Sequence, residues 1–188
     1  MKPMKTKSIV SPTLLAIALA GLLSADIARA ECDLYPIALS AQTLASVQPG
    51  ARIPNILNGV QPGNFGWLTW AGSPSEKTLA TSLSGNGDSS TYTDPSNPAN
   101  HQVSIGSWVQ GKPGVSNGRS VRSALTALKA GYITVPVWDN SVSQGNNTLY
   151  HVVGFAVVKI TDFDLSRPNR ISATFVGFTD CSGGNNNN

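Results

Sequence analysis

Hydrophobic and polar positions divide the chain into an apolar block near the start, a middle broken by polar loops, and a β-rich last third. Tyr132 to Trp138, Leu149 to Thr161 and Arg170 to Phe178 are dense in Val, Ile, Thr and aromatics, the composition that fits a pleated, half-buried surface. Val152 to Ile160 is apolar on both faces, so it belongs in the middle of a sheet. Arg167-Pro168-Asn169 is the turn signal of the connection that follows, and the last two strands should pair antiparallel.

Upstream the pattern is more punctuated. Ser40 to Val47 predicts a brief helix after the apolar entry Pro36 to Leu39. Phe65 to Trp70 alternates as a strand does. Ser73-Pro74-Ser75-Glu76 predicts a helix start with Ser73 as N-cap, Pro74 first and Glu76 closing a capping box, and the helix should end near Leu83 ahead of Gly85. Residues 84 to 100 hold almost nothing to fill a core and predict a long exposed loop. A strand over Val103 to Val109 follows, then a helix from about Gly118 to Ala130 capped by Asn117. There Val121, Ala124, Leu125 and Leu128 share one face. The whole predicts an α+β domain: a mainly antiparallel β-sheet or sandwich, two short helices packed on it, and one disulfide.

The first thirty residues carry different information. Lys2, Lys5 and Lys7 precede an apolar run around Leu14 to Leu23, and Ala28-Arg29-Ala30 has the small-x-small form cut by signal peptidase. The run is shorter than the roughly 20 residues a bilayer span needs, so cleavage is favoured over a retained anchor. Glu31 ahead of Cys32 argues against a lipoprotein. The expected organisation is a signal peptide over residues 1–30, one extracytoplasmic domain over 31–181 and a disordered polar tail over 182–188. The protein is then exported, periplasmic or extracellular, with no stable membrane insertion after cleavage.

Removing that leader changes the charge. Four of the 13 Lys and Arg (Lys2, Lys5, Lys7, Arg29) and one of the 10 acids (Asp26) precede Glu31, so nine of each remain. A near-neutral domain argues against a nucleic-acid partner, which requires a basic face. Both cysteines, Cys32 and Cys181, lie in the exported part, where an oxidising compartment makes their pairing the expectation. The alternative is a thiol nucleophile, with His151 and Asp139 completing a dispersed hydrolase site.

Other chemistry is sparse. His101 and His151 are the two histidines, and His151 reads as a half-buried sheet residue with one hydrogen bond. No zinc spacing, nucleophile elbow or phosphate loop occurs, and no cofactor or metal is expected. Asn86, Asp88 and Asp94 supply oxygens for calcium but miss the regular ligand ladder. Asp139, Asp162 and Asp164 stand at strand ends, where acids serve turns, and form no assignable catalytic pair. Each of Trp67, Trp70, Trp108 and Trp138 reads first as a core aromatic, and Trp67, Trp70 and Trp108 are the candidates for the lesser, binding reading. Trp67 and Trp70 are three positions apart, so in a strand they face opposite ways, one into the core and the other exposed.

The segments Pro62-Gly63-Asn64-Phe65-Gly66-Trp67-Leu68, Ser104-Ile105-Gly106-Ser107-Trp108-Val109, Lys112-Pro113-Gly114, Ile133-Thr134-Val135-Pro136-Val137-Trp138-Asp139 and Tyr150-His151-Val152-Val153-Gly154-Phe155-Ala156 resemble, in order and spacing, the C-terminal extracytoplasmic region of TadG-like proteins of the tight-adherence (Flp) pilus assembly system. The similarity covers about residues 32 to 178. Those proteins begin with a transmembrane helix and further extracytoplasmic sequence, whereas this chain moves from a cleavable signal directly into the domain, as a stand-alone secreted version would. The resemblance implies a non-enzymatic protein of pilus assembly, adhesion or surface structure, with pilus or other envelope proteins, or surface polysaccharide, as partners. It supplies no catalytic residues. A carbohydrate- or cell-wall-binding module is the alternative reading, and a secreted hydrolase a third.

Overall fold

The computed structural model describes residues 31–70, 73–144, 147–180 and 182–183, with backbone alone at 31, 32, 144, 147, 182 and 183. The expected signal peptide, residues 184–188 of the expected tail, and Cys181 lie outside the described residues, as does the side chain of Cys32. The strands are β1 (Glu31–Cys32), β2 (Ile37–Ser40), β3 (Arg52–Leu57), β4 (Phe65–Trp67), β5 (Trp108–Gly111), β6 (Ile133–Gln144), β7 (Asn147–Asp164), β8 (Arg170–Thr179) and β9 (Ser182–Gly183). The helices are α1 (Ala41–Leu44), α2 (Glu76–Ser84) and α3 (Arg119–Leu128).

Seven strands form one mixed sheet in the order β3-β8-β7-β6-β2-β4, with β5 also on β7. The pairing within it is antiparallel except between β2 and β6, and the α+β expectation holds. β7 sits centrally and pairs antiparallel with β8, as its two-sided apolar pattern predicts. A bridge between Leu68 and Gly111, with Thr69 N donating to Gln110 O at 2.9 Å and Lys112 N to Trp67 O at 2.8 Å, joins the end of β4 to β5. The pairings β4-β2-β6-β7-β5 therefore close into a ring. Outside it, β1 and β9 pair in parallel and bring the two ends of the domain together, Cys32 opposite Gly183. The first two residues of the expected tail thus belong to a strand, because their backbone groups find partners in β1.

Two β-bulges in the β6–β7 hairpin organise the interior. Val137 faces Gly154 and Trp138 faces Val152, leaving Val153 as the extra residue; Trp138 faces Val152 and Asn140 faces His151, leaving Asp139 as another. A side-chain period of two is reset by each insertion. Ile133, Val135, Val137, Ala156, Val158 and Ile160 consequently pack under α2 and α3 in the larger core, whereas Trp138, Tyr150, Val152 and Phe155 enter a second cluster with Leu34, Ala38 and Leu68. Helix α3 buries Val121, Ala124 and Leu125 and half-buries Leu128, the face its periodicity marks.

Several boundaries differ from the sequence reading. Helix α2 is capped by Ser75, whose Oγ accepts from Thr78 N at 3.1 Å, and Glu76 is its first residue, so Ser73 and the capping box are not used. Ser73 offers its carbonyl to the Thr78 hydroxyl instead. Gly118, not Asn117, occupies the N-cap of α3, and Asn117 Oδ1 accepts from the Arg122 guanidinium. Strand β5 begins at Trp108, later than Val103, because Ser104 to Ser107 form a turn closed by Ser107 N donating to Ser104 O at 3.0 Å. β3 was not signalled by its sequence, since Pro54 and Asn55 interrupt its alternation and the register shifts between Ile53 and Ile56.

The polar segment 84–100 is also less exposed than its composition predicts. Tyr92 is 1% exposed in the second cluster, and its hydroxyl donates to Trp108 O at 3.2 Å. Nδ1 of His101 donates to Tyr92 O at 2.7 Å. One aromatic is enough to pin this stretch against β5.

Candidate functional site

The four tryptophans occupy distinct environments. Trp67 is fully buried in the larger core, its Nε1 donating to Asn169 Oδ1 at 3.0 Å. Trp70 is 2% and Trp138 1% exposed, both in the second cluster. Trp67 and Trp70 do enter opposite layers, but neither is exposed, and a stacking role for either is overturned by burial. The reason is the ring closure after Trp67, which folds Leu68 to Trp70 inward against β5. Trp108 alone among the four is only half-buried.

Trp108 leads β5 and pairs directly with His151 on β7, which in turn pairs with Asn140 beyond the Asp139 bulge. The indole and imidazole lie 5.0 Å apart between centroids at an interplanar angle of 40°. Nδ1 of His151 donates to Oδ1 of Asp139 at 2.8 Å, since a carboxylate oxygen can only accept. The His151 side chain is 29% and the Asp139 side chain 48% exposed, so the pair is reachable from solvent. The bulge supplies this geometry, since an unpaired extra residue at Asp139 re-aims a side chain beside the ladder.

Alternation places Trp108, Leu149 and His151 on the outer side of the ring and Val109, Tyr150 and Val152 on the inner side. Trp108, Leu149 and Val142 join Pro95 and Ser96 of the polar segment around an open hollow of about 310 Å³. The Asp94 carboxylate holds that segment in shape: its Oδ1 accepts from Ser96 N at 2.7 Å, Ser96 Oγ at 2.6 Å and Asn97 N at 3.3 Å, and its Oδ2 from Asn100 Nδ2 at 3.4 Å. Burial pushes this carboxyl up, but the Ser96, Asn97 and Asn100 hydrogen bonds outweigh it and leave it below its ordinary value. Both oxygens of Asp94 serve the loop, and Asp88 Oδ1 accepts from Ser90 N at 2.8 Å, which gives these acids a turn-forming role.

Of the hydrolase residues suggested by the sequence, the structure joins His151 to Asp139; the thiols lie outside the described residues. Asp162 pairs with Lys129 at the end of α3 at 3.8 Å, and Asp164 accepts from Ser166 N at 2.8 Å and from the Arg170 guanidinium within the β7–β8 connection. A larger hollow of about 670 Å³ lies along α2, from Glu76 to Gly85, beside the start of α3 at Gly118 and Arg119. The Glu76 carboxylate already rests over Gly118 there, and no aromatic side chain lines it.

The sequence reading missed Asn169 and the depth of Tyr150. Asn169 is 1% exposed and satisfies four groups, while Tyr150 lies against Gly66 and Gly111 inside the ring. A buried amide in a Pro-Asn turn has no local signature, because the two donors it accepts from, Trp67 Nε1 and Ser116 N, come from residues distant in sequence. A scan against family models, a search of curated proteins and a search of solved structures each found no match for this chain.

Proposed function

We propose that this chain is an exported, non-enzymatic protein of the bacterial envelope or cell surface, acting in pilus assembly, adhesion or surface structure, and that its ligand seats on the outer face around Trp108. The observation that carries the binding face is the half-buried indole of Trp108 beside the solvent-reachable His151–Asp139 pair and the apolar side chains of Val142 and Leu149. Rigid strands hold these groups in place, and a loop fixed by Tyr92 and Asp94 forms the rim. The setting comes from the leader-like first thirty residues and from the resemblance to TadG-like proteins.

The test is photo-crosslinking in the native envelope with a photoreactive residue at Val142, and a control at Lys77 on the opposite hollow. Capture of surface or pilus material from Val142 above the Lys77 level is the expected result. Equal recovery from both positions would remove the assigned face.

A further inference from the structure

We infer that the Trp108 face takes a neutral saccharide, with a sugar ring laid on the indole and its hydroxyls meeting Asp139 and His151; this deepens the reading of that face as the binding surface and rests on it.

Three properties point to this ligand class. The first is the pairing of an apolar platform with unused polar capacity. His151 Nδ1 and Asp139 Oδ1 bond each other, and neither Asp139 Oδ2 nor His151 Nε2 has a protein partner among the described residues. A carboxylate oxygen accepts from hydroxyl groups, and the imidazole Nε2 offers a further hydrogen bond to another. A pyranose presents C–H bonds to an aromatic face and hydroxyls at its edge, so one ring can use both.

The second property is charge. Asp139 opposes an anion, and the apolar lining of Trp108, Val142 and Leu149 opposes any charge that would lose its water there. A polar but uncharged ligand meets both conditions. The third is size. The hollow against Trp108 is about 310 Å³, at the lower end of the roughly 300–1,000 Å³ typical of small-ligand sites, with the His151–Asp139 pair outside its lining on the His151 side of the indole. A stable protein partner instead covers about 800 Å² per side, far more than Pro95, Ser96, Trp108, Val142 and Leu149 offer.

Protein purified from an exporting host is titrated calorimetrically with neutral hexasaccharides of gluco, galacto and N-acetylglucosamine configuration. At least one should bind with heat, and Trp108→Ala should weaken it roughly tenfold or more, as removal of a central aromatic anchor does. Asp139→Asn should also weaken it, and Val142→Asp, at an exposed position, serves as a second blocking variant should Trp108→Ala fold poorly. Thermal melting of each variant close to that of the parent confirms that the loss is local. Binding that survives Trp108→Ala and Val142→Asp overturns the inference. Silence toward every saccharide, together with capture of a protein from Val142 in the envelope experiment, overturns the saccharide while leaving the binding face; silence in both experiments removes both.

Discussion

Trp67 and Asn169, 102 positions apart, meet in a buried hydrogen bond of 3.0 Å between the indole Nε1 and the amide Oδ1. The same oxygen accepts from Ser116 N at 2.8 Å, and the amide nitrogen donates to Leu165 O at 2.9 Å and Ser166 O at 3.3 Å. One side chain thus ties β4, the segment before α3 and the β7–β8 connection. Asn169→Leu strands the Trp67 and Ser116 donors without water, and should lower stability by about 2–4 kcal/mol. Urea denaturation followed by fluorescence reads this directly, and a loss under about 0.5 kcal/mol would show that the amide is not the hub described.

Tyr150 fills the space between β4 and β5. A Cβ at Gly66 would collide with its ring, and one at Gly111 would lie 2.5 Å from its Cε2. Gly66→Ala and Gly111→Ala should each cost about 1–3 kcal/mol by overpacking. Combining Gly66→Ala with Tyr150→Leu should cost less than the sum of the single changes, since the two positions share one space. Strict additivity in the double-mutant cycle would rule out this packing.

Burial pushes the phenols of Tyr92 and Tyr150 up to about 12, in Tyr92 with a smaller upward push from Asp94 and a downward one from a Ser107 hydrogen bond. Each phenol favours its neutral form more in the folded chain than in the unfolded one. The stability this gives is complete below about pH 10 and is lost as pH rises through about 12. Denaturation midpoints should therefore fall between about pH 10 and 12, and Tyr150→Phe, which keeps the ring, should flatten that fall. An unchanged slope in the variant would assign the alkaline loss to other groups.

The tryptophans should separate in solution. Acrylamide should quench Trp108, while Trp67, Trp70 and Trp138 stay protected by burial. Trp67→Ala should destabilise by about 3–5 kcal/mol as a core truncation. Trp108→Ala should remove the quenchable component at a much smaller stability cost. If quenching is unchanged in Trp108→Ala, the exposed indole lies elsewhere.

The disulfide expected between Cys32 and Cys181 is a question for solution chemistry, since Cys181 and the Cys32 side chain lie outside the described residues. Thiol labelling of the exported protein should find no reactive cysteine before reduction. Cys181→Ser should then lower stability by roughly 2–5 kcal/mol. Full labelling without reductant would exclude the bridge.

Periodicity made α3, β7 and the antiparallel β7–β8 pair legible, because each carries an uninterrupted apolar pattern over at least one long face. The ring closure was not legible: it depends on Leu68 meeting Gly111, a contact between short strands with no local sequence sign. Tyr92 was lost for a related reason, since one buried aromatic inside a polar stretch does not alter the local average. The candidate site was visible in part. His151 reads correctly as a half-buried sheet residue with one hydrogen bond, and Asp139 as an acid at the end of a strand signal; their meeting needs the bulge, which periodicity alone does not reveal. Trp67 and Trp70 illustrate the limit of an alternation argument, which separates two faces but does not say that both are covered.

Ring closure also bears on how this chain behaves among its neighbours. A strand whose outer backbone groups are unpaired is a template for strands of other molecules, and β4 and β5 would each be such a template if they did not meet. With them joined, β3 remains as an outer strand of the sheet, and it carries Pro54, the left-handed Asn55 at φ 53° and a register shift between Ile53 and Ile56. These irregularities make a poor surface for strand addition. The same proline and asparagine that hid β3 from its own sequence pattern thus help keep the folded protein from self-associating edge to edge.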